Sequence, residues 1–593
     1  MSITPKGMSV QEAYRLYRDG SLLVNRRYQR KLVWTQDEKM LLVESIMKGF
    51  PIPLILLAAR PKDAGETRYE IIDGVQRLNA VFSYIENTFP VDGKYFDVDE
   101  FTRARLVSDQ GLFSRASGDK PLLSQKECAD LLDYQLAITI YPASSEADIT
   151  DVFGRINSGG RQLSAQDKRQ AGVLTPFTEM VRRIASELRG DASKELLLLS
   201  EMPEISIESR RARQDYGLTA EDVFWCKQGI LSSADLRNSE DEEMIADIAV
   251  SILKGQPFAR SREALNELYD QTTTIFRDTQ DKLAIYSADR LTTEIKGVFS
   301  MLRETVDAYS SAPNTLRGIV SPESGNPIKT AFYAIFMAFF SLIVTSQCAP
   351  GNPKEIMGAL RDLQKKVQVG AHYTTTEDRT KNIDIVTGLL QRHFIRQDQP
   401  VLGHGAGLAL DLENSLRRSS IETPRYEFKQ GLLSLSPDRE YSNAVVHRIL
   451  ETICGIANVG PEAAGYVFVG VADKQEDADK IRDLDGVSPR LVGQRFVVGI
   501  DREVKRLGIT PEQYVERLLN SVRSSKLTET LKQQVLARID MPTYGGLSVL
   551  RLTVPAQTEL SFLDEKAFAR DGSSTVEVTG PQLVAIAKLF MRE

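Results

Sequence analysis

Arg68-Tyr-Glu-Ile-Ile-Asp-Gly-Val-Gln-Arg-Leu-Asn-Ala-Val81 holds the clearest local pattern in the chain. Tyr69 to Ile72 read as a short apolar strand, Asp73-Gly74 as a turn, and Gln76, Arg77 and Leu78 as the start of a helix. Glycine accepts positive φ at no steric cost, which makes Asp-Gly a strong turn signal. One helical turn separates Asp73 from Arg77, so the two lie on the same side of the helix start. Two readings are open. One is a helix start with a local i,i+4 ion pair. The other is one wall of an anion site, because free N–H groups and the helix dipole favour phosphate and a guanidinium grips it with two bonds.

Length and composition narrow the choice. A chain of 593 residues holds three or four domains at ~150 residues each. A net charge of -7 carries no overall nucleic-acid signature, so such binding would use local basic patches. Cys128, Cys226, Cys348 and Cys454 are scattered, with no CxxC pair, and there are only 4 histidines. This argues against a zinc site, a disulfide framework or a metal-histidine nuclease, and fits a reducing cytosol. The first residues lack a hydrophobic signal core. The apolar run Thr330–Thr345 falls short of the ~20 residues that a membrane span needs. It is expected to be a buried helix in a soluble, cytoplasmic protein.

The N-terminal part reads as a small α/β unit. A helix at Ser9–Tyr17 precedes the extended segment Leu22–Trp34, which carries Gln29 and Arg30 in its middle. Thr35 and Glu38 form a capping box for the next helix. Pro51-Ile-Pro53 then sets an extended entry into strand Leu54–Ala58. The arrangement is expected to bring Gln29, Arg30, Asp73, Gln76 and Arg77 to one cleft. Further on, Asn157-Ser-Gly-Gly160 can form a concave run of backbone N–H groups suited to an anion, or simply a turn between helices. Ser164 with Asp167 reads as the cap of the helix that follows.

Tyr28-Gln-Arg30, Trp34, Pro51-Ile-Pro53 and Asp73-Gly-Val-Gln-Arg77 together resemble the ParB-related domain of unknown function 262, which includes the GmrS half of GmrSD-type restriction systems. The block Val152-Phe-Gly-Arg-Ile-Asn-Ser-Gly-Gly-Arg-Gln-Leu-Ser164 is similar to a third motif of that family. The family signature is DGQQR, and Val75 stands here in place of its first glutamine. The resemblance implies a site for a nucleoside triphosphate, as ligand or substrate. Its residues are Gln29, Arg30, Asp73, Gly74, Gln76, Arg77, Asn157, Ser158, Gly159 and Gly160, and Val75 bears on hydrolysis more than on binding.

From 171 to 400 the periodicity is almost wholly helical. Arg182, Arg183, Arg210, Arg211 and Arg213 are interleaved with acids and read best as solvated faces. Gly403-His-Gly-Ala-Gly407 marks a linker, placed at 401–411. A different α+β pattern fills 412–593. It runs through strand Arg425–Gln430, helix Ala444–Ala457, strand Gly465–Val471, strand Arg495–Ile500, helices Pro511–Val522 and Leu527–Ile539, strands Leu547–Val554 and Lys566–Arg570, and helix Pro581–Met591. The chain is thus expected to be a multidomain α+β protein: a ParB-like unit at 1–170, a helical domain at 171–400, the linker, and a C-terminal domain.

Glu422-Thr-Pro-Arg-Tyr-Glu-Phe-Lys429, Ile449–Asn458, Tyr466–Asp473 and Ala567–Thr575 resemble the Schlafen AlbA_2 domain. That resemblance implies a nucleic-acid-binding or nuclease domain in which Glu422, Glu427 and Asp473 hold Mg²⁺ or Mn²⁺, which polarises a phosphodiester and activates water. Lys429 shares a strand face with Glu427 and would stabilise developing charge. A restriction-type nuclease with an E-x-K strand is the chemical rival, with its further acid upstream at Asp411 or Glu413. The function expected is a defence effector in which nucleotide binding controls cleavage of RNA or DNA. The alternative is a nucleotide-responsive DNA-binding regulator without nuclease activity. No membrane partner is expected, and a homo-oligomer is left open.

Overall fold

The computed structural model describes residues 5–590, leaving out 27–30, 62–66, 117–119, 143–147, 150–151, 153–164, 171–172, 174, 192–195, 209–217, 260, 368–374, 398–401, 403–407, 420–422, 437 and 462. The chain is a multidomain α+β protein that divides into two compact units, Met1–Val401 and Leu402–Glu593.

The N-terminal unit is built on a mixed six-stranded sheet of order β1-β5-β3-β4-β2-β6. Its strands are β1 (Lys6–Ser9), β2 (Leu22–Asn25), β3 (Ile55–Pro61), β4 (Thr67–Asp73), β5 (Gln135–Pro142) and β6 (Leu196–Leu198). Strand β4 runs antiparallel to β3 and parallel to β2. The helices packed with this sheet include α1 (Val10–Arg18), α2 (Gln36–Met47) and α3 (Val75–Ile85). The capping box at α2 forms as its sequence requires, with Glu38 N–H donating to Thr35 Oγ1 at 3.3 Å and Thr35 N–H donating to Glu38 at 2.9 Å. Helix α3 is the buried axis of the unit. Phe82 stacks on Tyr17 of α1 at 4.6 Å, and Tyr14 meets the same ring edge-on at 5.7 Å.

Strand β6 comes from beyond residue 170 and pairs with β2, so the stretch expected to be almost wholly helical also completes the N-terminal sheet. The helices that follow include α4 (Pro176–Arg189), α5 (Ser233–Arg237), α6 (Glu240–Lys254), α7 (Ala288–Tyr309), α8 (Lys329–Phe340) and α9 (Thr376–Leu390). Helix α8 lies at their centre, packed by α6, α7 and α9. Its Phe332 meets Trp225 at 5.2 Å, and Phe336 and Phe339 are wholly buried. This is the apolar run weighed above as a membrane span. No helix among the described residues is long and apolar enough to cross a membrane.

A buried charge network ties α4 to α6. Arg189 pairs with Asp191 at 3.2 Å and with Asp241 at the start of α6, and Glu242 lies 3.5 Å away. Arg26, just past β2, reaches Asp191 at 3.1 Å. Charges at such depth persist because each finds an opposite partner.

The C-terminal unit centres on a four-stranded sheet of order β7-β8-β13-β12, from β7 (Tyr426–Lys429), β8 (Gly465–Val469), β12 (Ile539–Asp540) and β13 (Leu550–Val554). Strands β9 (Val471–Ala472), β10 (Arg490–Val492) and β11 (Arg495–Val497) make a second sheet, and β14 (Ala567–Asp571) with β15 (Ser574–Val578) a hairpin. Helices α10 (Leu408–Arg418), α11 (Asn443–Ala457) and α12 (Gln475–Asp485) pack among them. Helix α10 occupies residues expected to belong partly to the linker, and α12 has no expected counterpart. The strand read as Gly465–Val471 is broken at Gly470, whose φ of 105° turns the chain away from β8 and sends Val471 into the second sheet.

Gly74 is the decisive joint of the N-terminal unit. Its φ is 110°, and a Cβ there would sit 3.0 Å from Ile55. Gly74→Ala is therefore expected to lower the stability of the N-terminal unit by about 1–3 kcal/mol. Urea unfolding followed by tryptophan fluorescence measures it, since Trp34 and Trp225 both belong to residues 1–401.

Candidate functional site

Strand β4 ends at Asp73, and Gly74 passes the chain directly into α3. No side chain caps that helix start, so its first N–H groups keep their capacity for an acceptor from outside. Arg77, one turn into α3, donates from Nη2 to Asp73 at 2.6 Å and to the carbonyl of Leu54 at 3.0 Å. Asp73 is 42% exposed. Nε of Arg77 is buried without a hydrogen-bond partner among the described residues, and the side chain is 14% exposed. The i,i+4 ion pair of the first reading is present, and it places a guanidinium beside an uncapped helix start.

Val75 is buried in the core and offers no polar group at the site. The side chain of Gln76 turns to the extended segment 31–34. Gln29, Arg30, Asn157, Ser158, Gly159 and Gly160, and the cap at Ser164, lie outside the described residues. Of the expected pocket, then, the structure places Asp73, Gly74 and Arg77 together, with Gln76 against the neighbouring strap.

In the C-terminal unit Glu427 and Lys429 share one face of β7, as strand alternation requires. Lys429 Nζ pairs with Glu427 Oε1 at 2.5 Å, and Arg570 of β14 donates to Glu427 Oε2 at 2.9 Å. Arg570 also donates to Thr575 Oγ1 at 2.8 Å and to the carbonyl of Tyr426 at 2.9 Å, and its side chain is 1% exposed. Phe428 points to the other face, stacked on Phe468 of β8 at 5.7 Å. Asp473 belongs on that second face. It pairs with Arg495 at 2.6 Å, and the Arg495 guanidinium lies 4.9 Å from the centre of the Phe428 ring.

Glu427 and Asp473 thus leave the sheet in opposite directions, and Glu422 lies outside the described residues. Both oxygens of Glu427 face cations. Among the described residues, which leave out Glu422, no group of three metal-ligating side chains converges. The break at Gly470 carries Asp473 out of the central sheet. Asp411 and Glu413 belong to α10, whose Leu412 and Leu416 pack in the cluster of Tyr426 and Phe468 on the Phe428 face, and Glu413 pairs with Arg417 at 2.7 Å.

Arg570 and Arg495 were not singled out from the sequence. Each meets its acid from a strand remote in the chain, and no local spacing signals such a contact. The thiols supply no rival chemistry. All four cysteines are free, and burial pushes Cys128 up to about 11 and Cys226 and Cys454 up to about 12. None of these three is an activated thiolate at neutral pH.

Residues 10–174 match the family described as GmrSD restriction endonuclease, N-terminal domain. The match includes the whole strand–turn–helix of Asp73 to Arg77 and ends before the C-terminal unit. Comparison with curated proteins and with solved structures returns no match.

Removal of Arg570 leaves Glu427 without its most buried partner and unpins the β14–β15 hairpin. Arg570→Ala is expected to destabilise the C-terminal unit by about 2–4 kcal/mol, whereas Lys429→Met, at a more exposed position, costs under about 1 kcal/mol. Urea denaturation followed by circular dichroism compares the two.

Proposed function

We propose that this chain is a restriction-type defence effector in which a nucleotide-binding N-terminal unit governs a C-terminal unit that acts on nucleic acid. The single observation that carries the proposal is the match to the GmrSD N-terminal domain over residues 10–174, coincident with an uncapped helix start beside the Arg77 guanidinium. A nucleoside triphosphate would place phosphate oxygens on the first N–H groups of α3 and beside the Arg77 guanidinium. Asp73 fixes the guanidinium in place. Gln29, Arg30 and Asn157 to Gly160 would complete the pocket, and hydrolysis is the step on which Val75 bears.

In the first reading the C-terminal unit is a nuclease on RNA or DNA, with Glu427 and Lys429 at its site. No step through a metal is assigned, because the described carboxylates diverge. A second reading is favoured by that divergence: a nucleotide-responsive nucleic-acid binder without cleavage. The purified chain, incubated with tRNA, single-stranded DNA and duplex DNA plus Mn²⁺, with and without each nucleoside triphosphate, separates the two. Cleavage abolished by Glu427→Gln supports the nuclease. A gel shift without cleavage supports the binder. Loss of cleavage in Asp473→Asn would restore the three-carboxylate site that the opposed strand faces argue against.

For the N-terminal unit, Arg77→Ala is expected to weaken nucleoside triphosphate binding by about 10- to 100-fold, the worth of a charge-assisted hydrogen bond. Isothermal calorimetry reads it, and unchanged binding removes the nucleotide assignment.

A further inference from the structure

Gln76 stands next to Arg77 in sequence but is spent elsewhere. Its Nε2 donates to the carbonyl of Lys31 at 2.8 Å, and its Oε1 accepts from the N–H groups of Val33 at 3.1 Å and Trp34 at 3.3 Å. The side-chain amide pairs with segment 31–34 as a neighbouring strand would, and both acceptor sites of its oxygen are used. From that segment Lys31 continues inward. Its Nζ donates to the carbonyl of Leu236 at 2.6 Å and to Ser239 Oγ at 3.3 Å, and lies 3.7 Å from Asp241, with a side chain only 7% exposed. Leu236 to Asp241 is the junction between α5 and α6, and Asp241 is itself held by Arg189.

An unbroken path of directional contacts therefore runs from the Asp73–Arg77 turn to the start of α6. These bonds are part-buried, so displacement of one link costs about 0.5–1.5 kcal/mol. Contiguity of this kind is what physical coupling between two places requires.

We propose that Gln76 is a positioning residue, and that the path Gln76, segment 31–34, Lys31, Asp241 couples occupancy of the Asp73/Arg77 turn to the order of the helix junction at residues 236–241. The ligand side of this coupling rests on the nucleotide reading above. The mechanical side stands without it.

Hydrogen–deuterium exchange by mass spectrometry on the full chain tests both sides. Without nucleotide, Gln76→Ala is expected to speed exchange at least about threefold in peptides covering 31–34 and 236–244 together, with no change in α9. Lys31→Met should do the same at 236–244. If Gln76→Ala does not fold, Gln76→Glu keeps the acceptor, loses the donor to Lys31, and should loosen the same two regions. With ATP, GTP, CTP or UTP at saturation, the wild type should show slowed exchange at 236–244. Gln76→Ala should bind within about tenfold of wild type yet show no such slowing.

Loosening confined to 31–34 overturns the coupling. Abolished binding in Gln76→Ala with unchanged exchange overturns the positioning role and makes Gln76 a ligand contact. A wild type that binds none of the four nucleotides sinks the nucleotide reading, while the ligand-free comparison still decides the coupling.

Discussion

The backbone at Gly74, held at a positive φ with Ile55 packed where a Cβ would stand, lets β4 pass into α3 without an intervening loop. The rest of the N-terminal unit follows from that joint. With no loop, no capping side chain arrives at the helix start, and Arg77 is placed one turn above Asp73. The same joint presents Gln76 to segment 31–34, so a single short helix start combines an uncapped end with an amide clamp that holds the adjoining strap. A longer turn would separate them. Burial of charge completes the design, since Arg26 and Lys31 at either side of residues 27–30 are both drawn inward to the acids at the ends of α4 and α6.

The C-terminal unit is ruled by strand alternation. Glu427 and Lys429 face α11 and the β14–β15 hairpin, while Phe428 between them faces α10 and the second sheet. Each side carries its own arginine. Arg570 closes onto Glu427 on one face, and Arg495 lies over Phe428 and meets Asp473 on the other. Two acids that look like partners in the chain therefore meet different arginines, Glu427 on the β14 side and Asp473 beside Phe428. What remains on the Glu427 face is one carboxylate between two cations.

Much of the architecture was legible because its signals are local. The Asp-Gly turn, the Thr35/Glu38 capping box and the helix at Asn443–Ala457 each announce themselves within a few residues. The apolar run at Thr330–Thr345 was legible for the same reason, as its length decided against a span. Helix α12 was missed because only Ala478 and Ile481 along it are buried, too few for a visible stripe. The break at Gly470 was missed because glycine inside a β pattern reads equally as a strand residue, and that one residue decides where Asp473 goes. The contacts that define the sites most sharply, Lys31 to Asp241, Arg570 to Glu427 and Arg495 to Asp473, join elements distant in the chain. Their geometry exists only after folding.

The most direct test of the central claim, that the Asp73–Arg77 turn is a triphosphate site, is a crystal structure of the chain with a slowly hydrolysed nucleoside triphosphate. The account predicts phosphate oxygens within about 3 Å of Arg77 and of the first N–H groups of α3, with the Arg77–Asp73 pair retained. Phosphate bound elsewhere in the unit, with the turn empty and Arg77 unmoved, would contradict it.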